Sequence, residues 1–355
     1  MKISQGKSGA DLNYPFQEAP ALGEMISLVP SVRWIRLPVI GELGHINVWA
    51  IADGEGWTIV DCGLFTPETI EAWEKLLVQG LEGHPVKRVI VTHMHVDHIG
   101  MAGWLTRRFN CSLWITALEY QGCADSLKGV DLDQGVAFYR KAGWSDEMLA
   151  EYCEQANDLI RYVDTLPLQF RALIENEQLK IGEYIWEVVT GRGHSPHHAC
   201  LWCKELGLFI SGDQVLPTIS SNISVVPTNP SNDPLGHWLD SIEKLKNYIP
   251  DSVLVLPAHG LPFYGLHSRL AQLAVGHKNG LQRLRNVLDQ PARVIDLFSV
   301  LFRYRKEYSV WLSQLATGEC IAHLNRLLAQ DDIEVIQDSE GVNWYINRLK
   351  GQISK

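Results

Sequence analysis

The segment Thr92-His93-Met94-His95-Val96-Asp97-His98-Ile99-Gly100 places four metal-capable side chains within six residues. His93 and His95 alternate with Met94, so on extended backbone they point the same way and can grip one ion. Asp97 and His98 lie just beyond and can serve a second. Three further segments supply the ligands that this cluster lacks: Gly191-Arg192-Gly193-His194-Ser195-Pro196, Ser211-Gly212-Asp213 and Ala258-His259-Gly260. Each sets a His or Asp beside glycine, directly after an apolar run, where a tight turn and close backbone approach are possible. Five His and two Asp collected in this way suit two borderline cations that share a carboxylate and a hydroxide.

These residues need strands to carry them. Residues 87–92 read as a short buried strand, and the first cluster sits at its C-terminal end, where open α/β sheets place their sites. Residues 45–52 and 57–61 flank the turn Asp53-Gly54-Glu55-Gly56 as a hairpin. Residues 67–77 form a helix with Pro67 in its first turn, and 100–109 another. Strands return at 184–190, 199–204, 208–211 and 253–256. Strand and helix alternating in this way predict a layered α/β fold. Residues 117–172 read as a helical insertion, because Met148, Leu149, Tyr152, Leu159 and Ile160 recur at helical spacing. The stretch 216–233, rich in Pro, Ser and Asn, reads as a long loop near the site. The texture changes at 269. Residues 280–288, 292–302 and 318–329 read as helices, and the runs IEVIQ and NWYIN around Asp338-Ser339-Glu340-Gly341 read as a terminal hairpin, the pattern of a winged helix.

Composition sets bounds on function. Asp+Glu outnumber Lys+Arg by 41 to 31, a formal charge of −10, so the chain has no general attraction for polyanions. The densest basic stretch, Arg303, Arg305 and Lys306, is too short to make a nucleic-acid surface. The opening residues lack an apolar core, and no run reaches the ~18 apolar residues of a membrane span, so neither a secretory signal nor a membrane anchor is expected. Seven cysteines at irregular spacing do not make a disulfide framework and point to a reducing cytoplasm. Cys200 and Cys203 face opposite sides of a strand and are expected to pack rather than to share a metal. Most of the 12 tryptophans are expected in the core. His197, His198, His267 and His277 are read as ordinary structural histidines, and His237 and His323 as helix-surface positions.

Taken together, HMHVDH, GRGHSPHH, SGDQ and PAHG resemble the metallo-β-lactamase-fold hydrolase superfamily over roughly residues 30–270. The resemblance implies an αββα sandwich spanning 25–268, with the insertion at 117–172 and a winged-helix-like domain at 269–355. It implies that His93, His95 and His194 bind one metal, that Asp97, His98 and His259 bind the other, and that Asp213 bridges them. Asp61, ahead of Cys62-Gly63, matches the family's strand-end Asp that supports the metal site from behind. The β-lactamases proper usually carry Cys at the position of Asp213, which argues against antibiotic hydrolysis. The family often has Gly or Glu where this chain has His197. The segments LFRYR and GECIAHLNRLLAQ with the hairpin resemble the winged helix of a subset of these hydrolases, where it packs on the catalytic domain.

The expected activity is hydrolysis of a thioester, ester or lactone by a metal-held hydroxide, with Asp97 orienting that hydroxide or taking its proton. Cleavage of a phosphodiester or RNA by the same fold is the alternative. A redox di-iron protein would need a flavin domain, which the sequence does not resemble. Zinc is the expected ion, with iron and manganese suited to the same ligands. The expected partner is a small acyl substrate rather than a membrane or nucleic acid, and a homodimer is compatible with the sequence.

Overall fold

The computed structural model describes residues 12–302 and 309–348 and folds them into two β-sheets packed face to face, with helices on both outer sides. Arg303, Arg305, Lys306 and the opening segment lie outside the described residues. The chain starts with β1 (Glu24–Val29), β2 (Val32–Pro38), β3 (His45–Ala52) and β4 (Trp57–Val60), each antiparallel to the next. Helix α1 (Pro67–Lys75) opens on Thr66, whose side chain accepts from the Thr69 N–H, and continues as a wider turn to Gly80. Strand β5 (Val86–Ile90), the short α2 (Val96–Ile99), α3 (Ala102–Phe109) and β6 (Ser112–Ile115) follow. Helices α4 (Ala117–Ser126), α5 (Leu132–Lys141) and α6 (Asp146–Gln155) fill the connection to β7 (Phe170–Ala172). Strands β4 to β7 run parallel and complete a seven-stranded sheet.

The second sheet is built from β8 (Gln178–Ile181), β9 (Tyr184–Gly191), β10 (His198–Cys203), β11 (Leu208–Gly212) and, after α7 (Pro234–Tyr248), β12 (Leu254–Pro257). Its strand order is β12-β11-β10-β9-β8. Strand alternation sorts side chains between layers. Trp186, Val188, Ala199 and Leu201 face Trp34, Trp49, Val60 and Ile90 of the other sheet, while Val189, Cys200, Trp202 and Phe209 face outward onto helices. Cys203 joins the inter-sheet side and Cys200 the outer side, so both pack as expected. Eight tryptophans are buried, which bears out a core role for most of them. Each such ring contributes on the order of 4 kcal/mol of apolar burial.

Helices α8 (Leu266–Val287), α9 (Phe298–Leu301) and α10 (Val310–Ala329), then the hairpin β13 (Ile333–Gln337) and β14 (Asn343–Asn347), close the described chain. They share one core with α5, α6, α7 and the outer face of the second sheet. Among the described residues, no helix is long and apolar enough to cross a membrane. Two expectations need correction. Residues 292–302 are not one helix: Ala292 spends its backbone groups on Tyr345 of β14, so helical turns begin only at Ile295. His323 is not a surface position. Every residue from 316 to 324 of α10 is buried, because α7, α8 and the insertion surround the helix, and a helix enclosed on all sides has no wet face.

Glu319 sits in that buried stretch. Burial pushes its carboxyl from an ordinary 4.5 up to about 7, against the lowering hydrogen bond from Asn222. Between those values the unfolded chain releases a proton that the folded chain keeps, so stability is lost as pH rises through the window. The loss is on the order of 3 kcal/mol. Glu319→Gln cannot ionise. Paired urea-denaturation curves should show the variant gaining on the parent by that amount between about pH 5 and about pH 7.5. A pH-independent difference would show that the carboxyl does not hold its proton.

Candidate metal centre

Five strand ends meet at one edge of the sandwich. Asp61 follows β4, His93 and His95 follow β5, His194 follows β9, Asp213 follows β11 and His259 follows β12. Asp97 and His98 lie on α2, which starts directly after His95. The two sheets are tied there by Ala199 N–H donating to Thr92 O at 2.8 Å. Asn47, buried in β3, adds a second tie. Its N–H donates to Ala258 O at 2.7 Å, its Nδ2 donates to Pro257 O and Gly260 O at 2.9 and 2.8 Å, and its Oδ1 accepts from Trp34 Nε1 at 2.8 Å. Asn47 thereby fixes the turn that carries His259.

The sequence-predicted ligands assemble into two groups. His93, His95, His194 and Asp213 form one, and Asp97, His98 and His259 the other, with one candidate ligand atom from each residue within 4.8 Å of the rest of its group. In the first group His93 Nε2 lies 2.9 Å from His95 Nδ1 and 3.2 Å from His194 Nε2, and His194 Nε2 lies 3.4 Å from Asp213 Oδ2. Ligands held about 2.0–2.1 Å from a tetrahedral ion are about 3.3 Å apart, so these separations match the edges of such a polyhedron. In the second group His259 Nε2 is 3.3 Å and His98 Nε2 3.6 Å from Asp97 Oδ2. Asp213 reaches this group as well, 3.6 Å from His98 Nε2 and 3.4 Å from His259 Nε2.

Three buried atoms aimed at this place, His98 Nε2, His259 Nε2 and Asp213 Oδ1, make no hydrogen bond among the described residues. Each unmatched buried polar atom costs about 1–3 kcal/mol. A cation satisfies all three at once, so the donor set fits divalent metal.

The tautomers suit that role. His98 Nδ1 pairs with Asp61 Oδ2 at 2.8 Å, His194 Nδ1 with Asn222 O at 2.7 Å and His259 Nδ1 with His45 O at 2.7 Å. Each oxygen accepts a hydrogen bond from Nδ1–H, which keeps that proton on the outer nitrogen and turns Nε2 inward. Asp61 also accepts from Thr92 N–H at 2.8 Å and Thr92 Oγ1 at 2.9 Å, so it ties His98 to the end of the β5 turn.

Charge is arranged to match. Burial, reinforced by neighbouring rings, holds His93 well below the usual histidine range and His95 at about 3. For His98 burial opposes protonation, but Asp97, Asp61 and Asp213 outweigh it and raise the group well above its ordinary value. His259 is raised in the same way by Asp213 and Asp97. Asp97 sits at about 2, since His98 and His259 overcome the raising effect of burial. With the chain's own charges alone, protons on two imidazoles balance the carboxylates, and a divalent cation takes over that balance.

His197 and His198 enter neither group. His198 Nε2 lies 3.2 Å from the Asp213 N–H, which donates to it, and its ring stacks on His93 at 4.9 Å. Gly212, at φ +51°, is required by this packing: a Cβ there would lie 2.5 Å from His198 Nε2. Sequence reasoning missed Glu119. This fully buried α4 residue accepts from Met94 N–H at 3.0 Å, Ser195 Oγ at 2.6 Å and His197 N–H at 2.6 Å. It clamps the turn carrying His93 and His95 to the turn carrying His194.

Known proteins resemble this chain over most of its length. Residues 41–259 match the family described as "Metallo-beta-lactamase superfamily", and residues 281–348 match "Metallo-beta-lactamase-like, C-terminal domain". A "Beta-lactamase domain protein from Burkholderia ambifaria" superposes with a TM-score of 0.88 at 37% identity, covering 95% of this chain and 98% of that one. The metallo-beta-lactamase family protein TTHA1429 from Thermus thermophilus shares the fold at a TM-score of 0.72 and 20% identity, over 91% of this chain and 100% of that one. The "Probable metallo-hydrolase YqjP" of Bacillus subtilis is 24% identical over 310 residues, 84% of this chain and 92% of that protein.

Proposed function

This chain belongs to the metallo-β-lactamase superfamily as one of its metallo-hydrolases, and from that premise we propose that it holds two divalent cations and hydrolyses a thioester, ester or lactone. The observation that carries the dinuclear reading is that two groups of candidate ligands lie side by side and Asp213 reaches nitrogens of both. His93, His95 and His194 hold one ion, Asp97, His98 and His259 the other, and Asp213 both. Such ions, when bound, supply Lewis acidity toward a carbonyl oxygen and bring the pKa of water from about 15.7 toward about 7. Zinc suits this His-rich set, and iron or manganese suit the same ligands.

The chain's own groups do the rest. Asp97, partly open to solvent beside His98 and His259, orients the attacking water and takes up its proton. Asp61, Asn222 O and His45 O hold the imidazole protons on the outer nitrogens, so the rings do not reorient between turnovers. Glu119 keeps the two ligand turns in register. The acidic balance of the chain gives it no general attraction for nucleic acid, which weighs against RNA as the substrate.

The test is hydrolysis by purified, metal-assayed protein of an acyl-CoA, a glutathione thioester, a homoserine lactone, an aryl ester, a bis-aryl phosphodiester and a short RNA. Chelator-sensitive cleavage within the carbonyl set is the expected result. Cleavage confined to the phosphodiester or RNA would overturn the substrate class and make the protein a nuclease of this fold.

A further inference from the structure

The strongest arrangement outside the ligand set joins α10 to His194 through one asparagine. Asn222 lies in the irregular segment between β11 and α7, and its carbonyl accepts the His194 Nδ1 proton at 2.7 Å. Its side chain is used at both ends. Nδ2 donates to Glu319 Oε2 at 2.8 Å and to Leu315 O at 3.3 Å, both on α10, while Oδ1 accepts from Ser224 Oγ. The peptide plane that orients a candidate ligand is therefore anchored by a buried carboxyl 97 residues further along the chain.

The same helix grips the segment on either side. Val225 N–H donates to Gly318 O at 3.0 Å. The two backbones approach so closely there that a Cβ at Gly318 would lie 2.7 Å from Ser224 Cβ. Asn325 Nδ2 donates to Pro230 O and Asn232 O, and Arg326 pairs with Asp233 at 3.0 Å. Nearer the site, Ser221 Oγ donates to Asp213 O, and the buried Arg269 of α8 donates to Leu216 O and Ile219 O. The segment that touches both His194 and Asp213 is thus held from the C-terminal helices.

We propose that α10 sets the orientation of His194, and with it the affinity of the His93/His95/His194 group for its cation, with Asn222 as the positioning residue and Glu319 as its anchor. This rests on the metal-binding reading above. Loss of the anchor lets the Asn222 peptide turn, the Nδ1 proton loses its acceptor, and the Nε2 lone pair no longer faces its partners. The role requires of Glu319 only an acceptor oxygen for Asn222 Nδ2, which glutamine supplies as well.

The experiment is stepwise titration of Zn(II) and Co(II) into chelator-stripped full-length protein, for the parent, Asn222→Ala, Glu319→Leu and Glu319→Gln. Circular dichroism and melting of the stripped proteins are recorded alongside. Disturbing a group that orients a ligand typically weakens metal affinity about 10–100-fold. That loss is expected for one of two ions in Asn222→Ala and Glu319→Leu, with a changed ligand-field spectrum of the Co(II) form. Glu319→Gln should keep the parent's affinity and spectrum. If Glu319→Leu does not fold, Asn222→Ala with Glu319→Gln carries the comparison. Two ions bound normally by Asn222→Ala, with only its melting lowered, would overturn this inference alone. A parent that binds no cation would overturn the metal-binding reading and this inference with it.

Discussion

Replacing Asp213 with alanine is expected to strip both cations from the protein and to lower kcat/KM on the cleaved substrate by on the order of 10³-fold or more. The size follows from position. The carboxylate lies 3.4–3.6 Å from nitrogens of His194, His98 and His259, so it touches ligands of both groups. Its negative charge is also the partner that holds His98 and His259 in place. Alanine leaves two cation sites short of a shared anion, and each several-kcal/mol Lewis-acid contribution is lost with its ion. The fold should survive. The residue 213 N–H still bonds His198, and His98 still pairs with Asp61 and Asp97. Metal content, kcat/KM and the melting curve of the variant check the three parts separately. Turnover near that of the parent would remove Asp213 from the site.

Asp61→Ala is expected to produce the largest loss of stability, about 3–5 kcal/mol, because it strips the acceptor from a buried network and strands the His98 imidazole. Asp61 is 1% exposed and accepts from Thr92 N–H, Thr92 Oγ1 and His98 Nδ1. It does so from φ +61°, a left-handed conformation that Asp tolerates better than Ala. The damage should reach the metal. His98 would no longer be held with Nε2 inward, and the Asp97/His98/His259 group should lose its ion. Asp61→Asn separates the causes: it keeps shape and backbone preference while deleting the charge. Urea denaturation in chelator, followed by metal titration, gives both readings. Stability of Asp61→Ala within about 1 kcal/mol of the parent would show that Thr92 and His98 do not depend on it.

Much of this site is legible from sequence because the ligands sit on turns with strong local signals. Strands β5, β9, β11 and β12 are short, mostly apolar runs; after β9, β11 and β12 a glycine stands beside the His or Asp, and after β5 the ligands crowd into six residues, so these polar groups have few structural reasons to be there. The terminal hairpin is equally plain, since its two runs alternate around Asp338-Ser339-Glu340-Gly341. What escapes sequence reading is what tertiary contact decides. Glu119 lies on a helix where a glutamate ordinarily faces water, and its donors come from turns 25 and 76 residues away. Asn47 does leave a trace: an amide inside the apolar run of β3 is out of place in a strand and implies a buried partner. The alternating residues of β2 carry a strand signal as well, although residues 32–38 are not among the strands expected from sequence. His323 misleads because the periodicity of α10 carries little contrast. Its middle is enclosed on every side, so no residue there can be assigned to a surface.

The central claim is that one chain holds two cations through seven side chains. It is tested most directly by elemental analysis of the purified protein after reconstitution with Zn(II) and exhaustive dialysis. Two equivalents of metal per chain, falling to none in Asp213→Ala, is the predicted result. One equivalent in the parent would leave either the His93/His95/His194 group or the Asp97/His98/His259 group without a role, and none would contradict the account.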